Sequence, residues 1–78
     1  MNAHTGDFAD AMRVRLDDLN MQAHAQMQAD SYRTDAMSYR RRAHMALRRG
    51  FYGDFRHMMG LALRFWSLHK HYARKAMQ

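Results

Sequence analysis

Between Asp7 and Arg49 the chain contains neither glycine nor proline, and none of its 78 residues is proline. These two residue types are the strongest local punctuation a chain can carry. A run this long without them reads most simply as one helix of about 43 residues, roughly 64 Å at 1.5 Å per residue. A sheet is excluded on composition. There is no isoleucine, Val14 is the only valine, and Thr5 and Thr34 are the only other β-branched residues. Strands are built mainly from β-branched and aromatic residues. Alanine, methionine and arginine are abundant here and are good helix formers. The expected class is therefore all-α, as a single domain over 1–78. A chain of this size buries only around 60–65% of its unfolded surface, which leaves room for one core. Without cysteine there are no disulfides and no thiolate metal sites.

Periodicity complicates the single long helix. Phe8, Met12, Leu16, Leu19, Ala23 and Met27 form one apolar stripe. Ala25, Ala29, Tyr32, Ala36, Tyr39, Ala43 and Ala46 with Leu47 form another. At 100° per residue the stripes centre near about 130° and 330°, so the apolar face changes sides around residues 25–31. Two architectures accommodate this. A continuous helix packs on different partners along its two halves. A break at Asp30–Ser31, both competent N-caps, gives a three-helix bundle with helices near 7–29, 31–49 and 54–77. Thr5 or Asp7 is the expected cap of the first helix, with Asp7 and Asp10 favourable in its first turn.

Gly50 follows Arg48–Arg49 and suits the left-handed residue just past a helix end, with cations facing the negative end of the dipole. The turn is expected over 50–53, with Asp54 capping the last helix. That helix has a wide apolar face built from Phe55, Met58, Met59, Ala62, Phe65, Trp66, His69, Ala73 and Ala76, broadened by Leu61, Leu63, Leu68 and Tyr72. Phe55, Met58, Met59, Ala62, Phe65 and Trp66, with Tyr32 and Tyr39, are the expected core or oligomer interface. One short partner helix does not cover so much apolar surface, so the sequence points to a homodimer, as a dimeric helical bundle. Gly60 stands in mid-helix.

Charge is divided unevenly. Residues 1–36 hold six aspartates against three arginines, a net −3, and residues 37–78 hold ten cations against Asp54 alone, a net +9. Every acid is aspartate, and arginine greatly outnumbers lysine. That choice reads as the codon bias of a GC-rich genome, bacterial, phage or plasmid. Arg40, Arg41, Arg42, Arg48, Arg49, Arg56 and Arg64 form the candidate binding surface, with Tyr52, Tyr39 and Phe51 near enough to stack on bases or ribose. Guanidinium groups pair phosphate in a two-pronged way. The bland alternative is a solvated face partly neutralised by the aspartate-rich first segment. No helix-turn-helix pattern is readable, so sequence-specific DNA reading is not expected.

Other chemistry is weaker. Met21, His24 and Met27 suggest a thioether–imidazole site for Cu(I), but the outer pair diverges by about 240°. His69 and His71 diverge as i and i+2 do on any helix, and methionine in a small helical core is usually packing. No metal or cofactor is expected. Trp66 and Phe65 with flanking cations fit an interfacial membrane helix, against the simpler reading of a packed hairpin helix. The longest apolar stretch, Met58–Leu63 with Phe65 and Trp66 beyond, is far short of the roughly 20 residues that span a bilayer. With no basic-then-apolar leader at the start, a cytoplasmic protein is the expectation. Asp17–Asp18 do not converge, Ser31, Ser38 and Ser67 sit in no nucleophile elbow, and no phosphate-cradling loop is present, so no enzyme is expected. Imidazoles ordinarily gain a proton around pH 6.5, so acidification would carry the charge from +6 towards about +12.

The functional expectation is a small basic binding protein, nucleic-acid-associated or regulatory. The alternatives are an adaptor or inhibitor engaging an acidic protein surface, and a Met/His metal-binding bundle.

Overall fold

The computed structural model describes the backbone of residues 3–78 and the side chains from residue 9 onward. Two helices account for nearly all of it: α1, Ala3–Arg48, and α2, Tyr52–Met77. They lie antiparallel as a hairpin. The rod measures 75 × 13 × 12 Å along its principal axes, and its radius of gyration is 20.4 Å. A globular domain of this length would have a radius of gyration of roughly 11–12 Å.

α1 passes through Asp30–Ser31 without interruption. The Asp30 carbonyl accepts from the Thr34 hydroxyl at 3.1 Å, and the Asp30 carboxylate accepts from Gln26 Nε2 at 2.9 Å. Asp30 thus serves as a mid-helix residue and caps nothing. Of the two architectures the sequence allows, the continuous helix is found and the break is not. The change of apolar face has a different cause: only the second stripe meets α2. At 1.5 Å per residue α2 is about 39 Å long and α1 about 69 Å, so roughly 20 residues of α1 run on past the end of α2. The hairpin closes where Gln22 Nε2 donates to the Gln78 carbonyl at 2.9 Å. Beyond it Met12, Leu16 and Leu19 stay exposed. The expected caps Thr5 and Asp7, and Phe8 of the first stripe, lie among the residues whose side chains are not described.

The turn is shorter than the expected 50–53. Gly50 has φ +80°, its N–H donates to the Leu47 carbonyl at 3.1 Å, and the Phe51 N–H donates to the Ala46 carbonyl at 2.9 Å. This pair of bonds is a Schellman ending, in which the left-handed residue satisfies carbonyls the helix would leave bare. α2 then begins at Tyr52. Phe51 holds the N-cap position and makes no side-chain cap bond, while Asp54 sits inside the first turn. Asp54 is therefore no cap; it favours the helix start through the dipole. Gly53 is helical.

Alanine builds the seam. Among the described residues Ala25, Ala29, Ala36 and Ala43 of α1 and Ala62 of α2 are the buried ones, and no large side chain is fully buried. Small residues let the axes come close, so larger side chains are pushed to the flanks of the contact. On one flank Tyr39 stacks on Phe65 with centroids 5.4 Å apart and planes 2° from parallel, and Tyr32 stacks on both Phe65 (5.9 Å) and Tyr72 (5.5 Å). On the seam itself His69 Nδ1 donates to the Ala29 carbonyl at 2.8 Å. Of the expected core, Ala62 is buried, and Phe55, Met58, Met59, Phe65, Tyr32 and Tyr39 are half-buried. Trp66, expected in the core or the oligomer interface, is exposed, as is Leu47 of the second stripe. Two helices have only one line of contact, and side chains beside that line stay wet.

Candidate nucleic-acid interface

The Schellman turn returns the chain so that the arginines of α2 come beside those of α1. The Tyr39–Phe65 stack sets Arg40 and Arg64 at the same level of the rod. From there to Arg49 the helix rises about 14 Å. Arg40, Arg41, Arg42, Arg48, Arg49, Arg56 and Arg64 thus share one short slice at the turn end, with Asp54 as its only carboxylate. All seven are exposed, as is Tyr52.

They do not form one face. Arg40 lines a groove between the helices with His44, Ala36 and Met37 of α1 and Met59, Ala62, Leu63 and Trp66 of α2. Arg42 and Arg49 line a separate depression with Met45, Ala46, Phe51, Asp54 and Met58. The Arg42 guanidinium also lies 5.3 Å from the centroid of the Tyr39 ring. The basic surface is a girdle around the turn end. The helical-wheel reading, which places arginine opposite the alanine–tyrosine seam, describes α1 alone; adding α2 divides the ring into grooves.

The described aspartates of the first segment do not reach these cations. Among the described residues the one ion pair is Arg13 with Asp10, exposed, at 3.9 Å. Most acids of α1 lie along the extension or near the start of the hairpin, tens of ångströms from the turn. Phe51, beside Arg49 and expected as a stacking neighbour, is a wall of the basic depression, 54% exposed.

Among the described residues no three of His, Cys, Asp or Glu gather as a metal-ligand set. His24 Nε2 is instead 3.2 Å from the Gln28 side-chain amide, one turn along. No helix of the described residues is long and apolar enough to cross a membrane.

The fold places the chain among all-α proteins, as a helical hairpin. No family model matches it, nor does any curated protein or solved structure.

Proposed function

We propose that this is a non-enzymatic, cytoplasmic accessory protein that binds nucleic acid through its basic turn end and acts as a homodimer. One observation carries the reading: seven exposed arginines within one short slice of the rod, none paired with a carboxylate among the described residues. Arginine girdles of this kind bind phosphate and release counterions on doing so. Two adjacent helices with side chains are roughly 20 Å across, wider than the ~12 Å major groove. The contact is therefore to the phosphate backbone, with Phe51 and Tyr52 available to stack on unpaired bases.

Titrating salt against binding to generic duplex DNA, single-stranded DNA and RNA tests this. The expected result is loss of affinity by orders of magnitude between 50 and 200 mM salt, as for a binder making several phosphate contacts. The alternative partner, an acidic protein surface, is favoured by the apolar walls beside Arg40. It predicts no retention on nucleic acid even at low salt.

A further inference from the structure

The extension of α1, beyond the end of α2, carries Met12, Leu16 and Leu19 at 49%, 56% and 55% exposure. Read with a seven-residue repeat, these residues belong to a seam running the length of α1. One row is Ala9, Leu16, Ala23, Asp30, Met37 and His44; the interleaved row is Met12, Leu19, Gln26, Arg33, Arg40 and Leu47. Alternating steps of three and four are those of a coiled-coil contact line. On an ideal helix such a line drifts about 20° per repeat. It therefore leaves the stripe of the extension and arrives at Met37, Arg40 and His44, the α1 wall of the groove completed by Met59, Leu63 and Trp66. The alanines that meet α2 lie beside this line, not on it.

We propose that a second copy of the chain lies antiparallel along this seam, so that the extension of each protomer occupies the groove of the other. Three observations select this occupant. The first is length. The roughly 28 Å extension fits within the roughly 39 Å hairpin, and an inverted copy sets three helices in cross-section along each extension and four where the two hairpins overlap. The second is charge. Residues 9–21 carry Asp10, Asp17 and Asp18 against Arg13 and Arg15, whereas residues 40–49 carry five arginines and no acid. A parallel pair would set arginine against arginine; the antiparallel pair sets Asp10 and Asp17 near the partner's Arg48 and the partner's Arg41. The third is register. One antiparallel alignment opposes Leu19 to the partner's Met37, Ala9 to the partner's Leu47, and Leu16 to the aliphatic stem of the partner's Arg40. The same alignment brings the polar residues Gln26 and Asp30 together at the centre, where polar groups fix alignment. Arg42, Arg49 and Phe51 lie in the other depression and stay free, so in the dimer phosphate contact falls to that depression and not to Arg40, Arg41 and Arg48.

This arrangement rests on the dimeric part of the proposed function and not on nucleic acid, so it is tested in the absence of nucleic acid. Sedimentation is expected to show a dimer at tens of micromolar. The chain has no cysteine, so introduced ones are its only thiols. A chain carrying both Leu19→Cys and Met37→Cys is expected to form a covalent dimer on mild oxidation. Each single variant alone stays uncrosslinked, and a mixture of the two singles crosslinks. Leu16→Lys with Leu19→Lys is expected to weaken dimerisation by about 100-fold or more, since two contacts that the symmetry repeats are lost and cations meet the partner's Arg40. A monomer at every concentration, or any assembly larger than a dimer, overturns the proposal. So does a dimer indifferent to the lysines, or self-crosslinking of Leu19→Cys, which marks extensions paired with each other. These last two outcomes leave the dimeric reading standing while removing this arrangement.

Discussion

The imidazole of His69 is tied to the backbone of the opposite helix: its Nδ1–H donates to the carbonyl oxygen of Ala29 at 2.8 Å, and Ala29 is fully buried. A carbonyl has no proton to give, so the contact fixes the proton on Nδ1. Trp66, one turn earlier, lies 4.8 Å from the same ring, centroid to centroid. His69→Phe keeps an aromatic ring and removes the donor. It is expected to lower stability by about 1 kcal/mol, the net worth of one intramolecular hydrogen bond, read as a shift in urea midpoint. An unchanged midpoint would show that the bond contributes nothing.

Ala43 is buried at 0% exposure on the α1 seam. Ala43→Leu is expected to force the helices apart and destabilise the hairpin by about 1–3 kcal/mol, as overpacking does. Ala11→Leu, on the extension, is expected to be close to neutral. Equal effects at the two sites would contradict an alanine-set helix separation.

Two glycines are expected to respond with opposite signs. Gly50 sits at φ +80°, where a Cβ is strained, so Gly50→Ala should cost about 1–2 kcal/mol. Gly60 lies inside α2 with open space around a would-be Cβ, so Gly60→Ala should stabilise by about 0.5–1 kcal/mol. Thermal melts of the two variants make the comparison. Stabilisation by Gly50→Ala would mean that the turn is not the Schellman ending described.

On the basic surface, Arg42→Gln with Arg49→Gln removes two guanidinium groups without touching the alanine seam. If both contact phosphate, the slope of log affinity against log salt should become shallower by nearly two units on duplex DNA. A slope equal to that of the parent chain would place the phosphate contacts elsewhere.

The helical class, the left-handed role of Gly50 and the alanine–tyrosine seam were legible in the residues, because each depends on local stereochemistry or on spacing along one helix. The two stripes of α1 were legible as well, but not whether the chain breaks between them. Propensity at Asp30–Ser31 permits both a cap and a helix interior, and the side-chain bonds of Asp30 to its own helix go with the second. The candidate arginines were readable as a cluster. Their division between two grooves was not, since it depends on where α2 lies across α1.

By itself the amino-acid order determined two amphipathic rods, one reversal between them and a charge gradient along their length, all consequences of backbone preference and periodicity. The tertiary structure alone decided where the shorter rod lies on the longer one. That placement buried Ala29 and Ala43, left Met12, Leu16 and Leu19 exposed, and exposed Trp66 beside Arg40. It follows from contact between surfaces distant in sequence, and no spacing within one helix encodes it.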